Sequence, residues 1–486
     1  MRAALGAGFA AAVVGAGLAA AVLAAGCGAD RPAGPPPGST LTATLLDRDG
    51  DGRLGRGPGE ALLDRNELGG RGRRGATIAT FAQVTDAHVR DEESPARVPF
   101  LDRLGGAFTP TFRPQEALTA HVLAAAVRSL NRMQPQAVAI TGDTADNAQA
   151  NELDAARAVL SGGRVHADSG AAGYDGVQEA GNPDPFYYRP DNDPPRHPGL
   201  LDAAQRAFDA PGLDAPWYPV LGNHDLLAQG EAPPTPAIQS VAAGDRMVES
   251  LDAGDRPDPD TDAEAAVAAL LEGGLPGRTR AVPADPARRL LSPSDTLRRL
   301  GRRGRDGGRL DYTFDIGATV RGIVLDVVNR AGGARGLVTP AQVHWLRAEL
   351  QRAGRRYVVV FSHQPLTQSD GGEVALAALD AAPRVVAAIA GHRHRNSITP
   401  RLSGPYWLVE TASLVDFPQQ SRFFRLVHTS GGGVALETWM VDHDGAELAG
   451  VSRELAFLDA QGGRPEGFAG GPEDRNARLR LPAPER

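Results

Sequence analysis

Five times along this chain an apolar run with strand character stops and gives way at once to polar, chemistry-bearing residues. Residues 77–84 lead into Thr85-Asp86-Ala87-His88, and 137–140 lead to Gly142-Asp143. Residues 217–221 run into Gly222-Asn223-His224-Asp225, 357–361 deliver Ser362-His363, and 385–390 deliver Gly391-His392-Arg393-His394. Helical periodicity fills the gaps at 114–133 and at 340–352, the latter opened by Thr339-Pro340-Ala341-Gln342, a capping box with proline at its first turn. Strands alternating with helices predict an α/β fold, in which sites gather at the carboxyl ends of the strands.

One such cluster means little; the count matters. Of eleven histidines, five (His88, His224, His363, His392 and His394) sit at these strand ends. The others (His121, His166, His197, His344, His428 and His443) fall in helices, loops or late segments and read as structural. The collected donors are Asp86, His88, Asp143, Asn223, His363, His392 and His394. Carboxylate, imidazole and amide oxygen without thiolate suit Mn, Fe, Zn or Ni. Seven ligands exceed one tetrahedral ion but suit two ions sharing a carboxylate, at the roughly 3.5–4 Å spacing recurrent in displacement at phosphorus.

Asp86-x-His88, Gly142-Asp143-x-x-Asp146-Asn147, Gly222-Asn223-His224-Asp225, His363 and Gly391-His392-x-His394 resemble, in order, the five blocks of the calcineurin-like metallophosphoesterases, over residues 77 to about 415. Ser94-Pro-Ala-Arg97, Pro194-Pro-Arg-His-Pro-Gly-Leu200 and Ser413-Leu-Val-Asp-Phe-Pro-Gln-Gln420 further resemble a secreted bacterial subgroup with no assigned substrate. The resemblance implies an α/β sandwich: two β-sheets face to face, flanked by helices in a four-layer core. It implies a metal-dependent phosphoric ester hydrolase with two divalent cations, Mn or Fe favoured and Zn possible. Asp86, His88 and His394 would hold the first, Asn223, His363 and His392 the second, and Asp143 both. A bridging hydroxide would attack a phosphoester substrate, a diester slightly favoured over a monoester. His224 would protonate the leaving alkoxide, Asp225 would orient its ring, and Asp146 and Asn147 would fix the loop. Purple acid phosphatases carry a ligating Tyr where this chain has Asp146, so no charge-transfer colour is expected.

Composition narrows the alternatives. All 51 basic residues are Arg, which excludes Schiff-base chemistry and a P-loop lysine. A net charge of -8 argues against general nucleic-acid binding. The single Cys, Cys27, rules out a disulfide framework and follows a basic start and an apolar run. Leu23-Ala24-Ala25-Gly26-Cys27 resembles a lipobox, so residues 1–27 are expected to be a lipoprotein signal and Cys27 a lipid anchor; an uncleaved membrane helix is the alternative. Either reading predicts an extracytoplasmic chain, membrane-anchored at the cell envelope or secreted.

A Pro/Gly-rich tether is expected over 28–40 and a hairpin segment over 41–76. Within the latter, Asp47 to Gly52 reads D-R-D-G-D-G like the start of a calcium loop, but Pro58 stands where the closing acid belongs, so a hairpin turn is favoured. The main domain is expected over 77–460, with insertions near 162–216 and 228–310 as lids or binding loops. A Gly-, Pro- and charge-rich tail, 461–486, is expected to be disordered. The competing functional reading is an envelope-binding lipoprotein that keeps the fold without turnover.

Overall fold

The computed structural model describes residues 38–486, apart from 253, 255, 258–260, 274–275, 306–307, 464–468 and 485–486. The expected signal and lipid anchor, and residues 28–37 of the expected tether, lie outside the described residues. Among those described, no helix is long and apolar enough to cross a membrane.

Two sheets carry the fold. The seven-stranded sheet runs, edge to edge, Leu63–Arg65, Ala477–Leu481, Val434–Asp442, Gln420–Thr429, Arg74–Val84, Val138–Thr141 and Trp217–Val220. Its last three strands are mutually parallel, and its middle is an antiparallel meander. The six-stranded sheet runs Tyr312–Ile316, Val320–Val324, Tyr357–Phe361, Val385–Ala390, Tyr406–Glu410 and Ser397–Arg401, with four central parallel strands between antiparallel edges.

Strand periodicity explains how the sheets meet. Along Arg74–Val84, Ala79 and Phe81 point between the sheets, whereas Ala82 and Val84 point out toward helices. Phe81 stacks on Phe424 of its own sheet at 4.7 Å and meets the edge of Phe361 across the interface at 5.9 Å. Helices Thr119–Met133 and Ala150–Ser161 cover the outer face of the larger sheet, and Pro340–Ala353 and Gly372–Asp380 cover the smaller. The result is a four-layer α/β sandwich. The capping box of Thr339 and Gln342 opens the helix Pro340–Ala353.

The tail reading needs correction. Ala477–Leu481 is a strand wedged between Val434–Asp442 and Leu63–Arg65, and Ala477, Leu479 and Leu481 are buried. Averaged over the tail, Gly, Pro and charge concealed the period-2 run Ala-Arg-Leu-Arg-Leu. At the other end, Ser39 bridges Val441 and is buried, so residues 38–40 belong to the body rather than to a tether. Leu45–Leu46 and Gly55–Arg56 pair as a hairpin. In its loop the Asp47 carboxylate accepts from the amides of Gly50 (2.8 Å) and Gly52 (3.0 Å).

The described residues of both insertions are built structure. Ile238, Val248, Leu271 and Leu290 of the second pack with Val98, Leu101 and Phe108 into a core of their own. Phe112, Tyr187, Met247 and Val282 tie the two insertions together.

Candidate metal centre

Strand ends from both sheets converge on one point. The larger sheet presents Asp86, His88, Asp143, Asn223 and His224; the smaller presents His363, His392 and His394. Ligand atoms of Asp86, His88 and His394 lie within 4.8 Å of one another, as do those of Asp143, His363 and His392, and those of His88, Asp143 and His224. The backbone is bent to achieve this. Asp86, His88, Asp143, His392 and His394 all have positive φ, between 42° and 72°, a conformation that residues with a Cβ adopt at a cost and that clusters at functional sites. Two glycines permit the close approach. A Cβ on Gly222 would lie 2.1 Å from Asp143 Oδ1, and one on Gly391 would lie 1.9 Å from Thr85 Oγ1.

The donor atoms are aimed by their other hydrogen bonds. His88 Nδ1 donates to Asp146 (2.9 Å), His363 Nδ1 to the Thr141 carbonyl (2.8 Å), and His394 Nδ1 to Asp416. Each Nε2 is thereby turned inward. His88 Nε2 stands 3.3 Å from His394 Nε2, and His394 Nε2 is 3.3 Å from Asp86 Oδ1. On the other side, His363 Nε2 is 3.0 Å from Asp143 Oδ2 and 3.2 Å from His392 Nδ1. Backbone amides pin the remaining carboxylate oxygens: His224 N donates to Asp143 Oδ1 (2.9 Å), and His392 N donates to Asp86 (3.0 Å). The Asn223 amide is held by Gln364 Nε2 (3.2 Å) and the Gly230 carbonyl (3.0 Å).

So many inward acceptors can be satisfied only by protons or by cations, and the charge balance of the site reflects this. Burial would pull His363 down, but Asp143 and Asp86 push it up to about 10. His394 also resists burial and reaches about 9 beside Asp416. Burial prevails at His88, lowered to about 4, and at His392, lowered to about 3 with help from His363. Burial alone would raise Asp86 and Asp143, yet the neighbouring histidines hold both below the usual carboxylate range. Carboxylates kept ionised among imidazoles fit divalent cations, with Asp86, His88 and His394 able to hold one, His363, His392 and Asn223 another, and Asp143 between them.

His224 and Asp225 part company. The His224 ring donates from Nδ1 to the Asp146 carbonyl at 2.5 Å. Asp225 does not orient that ring: it accepts from the amides of Gly222 (2.9 Å), Thr144 (2.9 Å) and Ala145 (3.0 Å) and so ties two strand-end loops together. The turn at Gly222 folds Asp225 back onto three waiting N–H groups, away from the imidazole. Burial, then Asp143, pushes Asp225 up to about 7.

Several residues of the site were not found from sequence. Asp416 grips His394 on one side and Arg113 on the other, with Arg113 Nε at 2.5 Å, and both are almost fully buried. Asp146 likewise bridges His88 and Arg90 (2.7 Å), and Glu116 gathers Arg90 (3.0 Å) and Arg97 (2.8 Å) behind it. Asp416 lies in a stretch read only as a resemblance, Glu116 in one read only as helical and Arg113 just ahead of that helix, so no local signal marked their roles. Asn147 does fix its loop, accepting from Gln229 N (2.6 Å).

Comparison with known proteins agrees with this geometry. The calcineurin-like phosphoesterase family matches residues 79–396, well over half of the chain. The chain belongs to the calcineurin-like phosphoesterases. It is a metal-dependent phosphoric ester hydrolase by family. Among solved structures it is similar to a dimetal phosphatase from zebrafish (15% identity, TM-score 0.39, covering 76% of this chain and 100% of that one). It is also similar to a purple acid phosphatase from yellow lupin seeds (10% identity, TM-score 0.30, covering 81% of this chain and 55% of that one). No curated protein matches it. In this phosphoesterase the matched region ends at Asn396, short of Asp416 and the late meander.

Proposed function

We propose that this phosphoesterase hydrolyses a phosphoester, a diester in preference to a monoester, at a centre of two divalent cations, Mn or Fe being favoured. The observation that carries this is the convergence of His88 Nε2, His394 Nε2 and Asp86 Oδ1, acceptors held 3.3 Å apart by partners on their far sides. Two bound cations supply positive charge for the phosphoryl oxygens and acidify water.

The chain's own residues do the rest. Asp143, anchored through Oδ1 by the His224 amide, offers Oδ2 between the two histidine groups. His224 commits Nδ1 to the Asp146 carbonyl, which leaves Nε2 to pass a proton to the departing alkoxide. A Cβ on Gly230 would fall 2.4 Å from His224 Nε2, so glycine there leaves that edge of the ring open. Residues ahead of Gly38 fit export and lipidation at Cys27, which supports an extracytoplasmic, membrane-anchored enzyme.

Hydrolysis of bis-p-nitrophenyl phosphate by the Mn-loaded chain, beside Asn223→Ala and His224→Ala, tests the reading. Asn223→Ala should lose bound metal and activity together. His224→Ala should keep its metal and lose about 10²–10⁴-fold in kcat, more for an alkyl than for a nitrophenyl leaving group. A folded, metal-loaded chain that cleaves neither this diester nor the matching monoester would defeat it.

A further inference from the structure

The cleft above the ligand cluster encloses about 760 Å³, far more than a phosphate group fills and within the range of sites for sizeable organic ligands. Its walls differ in character. Phe108, from the turn Gly106–Thr111, and Val267, from the insertion helix Ala263–Glu272, make one part apolar. Arg393 and Arg395 line another part, and they alternate with His392 and His394 on the same loop, so the strand end that fixes those donors also fixes these cations.

The cleft's charges are unequally committed. Arg90 and Arg113 line it as well, but each is buried against carboxylates, Arg90 on Glu116 and Asp146 and Arg113 on Asp416. Asp146 and Asp416 are in turn saturated by those arginines and by His88 and His394. Glu231, a further acid in the lining, is pushed up to about 7 by burial, with Asp262 and Glu264 adding to it. Arg393 is different: its side chain is 42% exposed, and its partner Glu410 stands off at 3.7 Å. Although Glu410 is only 16% exposed, an ion pair this long contributes little, and the exposed Arg393 guanidinium can turn to a ligand's anion.

We propose that Arg393 and Arg395 form a subsite for a second anionic group. The substrate is then a phosphoester whose organic part carries a carboxylate- or phosphate-type anion beyond the reacting phosphorus. The inference rests on the metal-centre reading for the position of that phosphorus. Charge-assisted contacts of a guanidinium with such a group are strong and directional, and the apolar wall accommodates the carbon skeleton between the two anions.

The test is calorimetric titration of the Mn-loaded full chain with propylphosphonate and with 3-phosphonopropionate, which differ by one carboxylate. In the wild type the carboxylate should tighten binding by about tenfold at low ionic strength, and the gain should shrink as salt is raised. In Arg393→Gln/Arg395→Gln the two ligands should bind alike, and Arg393→Lys/Arg395→Lys should restore part of the difference. Equal binding of both ligands to the wild type, or a gain that survives the double Gln variant, overturns the subsite. Turnover of bis-p-nitrophenyl phosphate by the same preparation is read separately. Absent turnover with the gain intact sinks the hydrolase reading while upholding the subsite; turnover without the gain does the reverse.

Discussion

His88 and His394 face each other through Nε2 atoms 3.3 Å apart, while a carboxylate holds the opposite nitrogen of each ring, Asp146 for His88 and Asp416 for His394. Rings held in this way present two lone pairs to one point unless a proton occupies it. The same competition between proton and cation governs His363.

Metal uptake should therefore release protons. With His363 pushed up to about 10 and His394 to about 9, both are charged at pH 7 in the cation-free chain, and both must be neutral to ligate. Loading with Mn near pH 7 should expel about two protons, measured as the dependence of calorimetric heat on buffer ionisation enthalpy. The sign follows directly: folded values above the ordinary 6.5 mean that the two histidines stabilise the cation-free fold fully below pH 6.5 and cease to do so as pH rises through about 9 to 10. Apparent Mn affinity should accordingly rise with pH across that window. Uptake with no proton release would contradict the assignment.

Asp416 should matter to the metal as much as a ligand does. Asp416→Asn keeps the shape but not the charge that orients His394 and neutralises Arg113, and loss of such a partner typically weakens metal binding 10–100-fold. Either variant leaves the buried Arg113 guanidinium without its carboxylate, at about 3–5 kcal/mol of stability, and Asp416→Ala also removes the oxygen that accepts from His394 Nδ1. Titration with Mn and thermal melting read the two effects: both variants should lower the melting temperature, and Ala should weaken Mn binding more than Asn.

Gly222→Ala should cripple the centre from outside the donor set. The added Cβ would fall 2.1 Å from Asp143 Oδ1 and 2.4 Å from Asp143 N, so the Asp143 carboxylate or its backbone must shift. Overpacking of this kind costs about 1–3 kcal/mol, and the expected result is a modest drop in melting temperature with a disproportionate loss of bound Mn, read by metal analysis after dialysis.

The late strand should be indispensable to the body. Leu479 is fully buried between the sheets, so Leu479→Ala should destabilise by about 2–5 kcal/mol, whereas the neighbouring outward-facing Arg478→Ala should cost much less. Denaturant unfolding of the two variants decides the matter; equal midpoints would mean that the strand is dispensable.

The sequence made the catalytic edge legible because periodicity is local: Val385–Ala390 is buried throughout, and the change at Gly391 is abrupt. It could not reveal partners brought from afar. The Arg113–Asp416 pair joins positions 303 residues apart, and neither residue stands out among its neighbours. The role the resemblance implies for Asp225, orienting the His224 ring, does not hold, because a tight turn sends these consecutive side chains in different directions and Asp225 meets backbone amides instead. Ala477–Leu481 was lost in the composition of its surroundings, where five alternating residues are too few to outweigh glycine and proline. In the second insertion the alanine-rich stretch 263–271 reads as helical and is a helix, Ala263–Glu272, but the packing of the insertions was not legible, since Phe112, Tyr187, Met247 and Val282 come from four separate segments and make sense only together.

Because one sheet contributes donors up to Asn223 and the other contributes them from His363 to His394, the centre cannot exist on a nascent chain until just over four-fifths of it has been synthesised. Cation capture is thus a late event in the life of each molecule, after the two sheets have found each other. Donor chemistry narrows the choice of ion, and the metal supply where folding is completed then bears on which ion the finished donor set meets first.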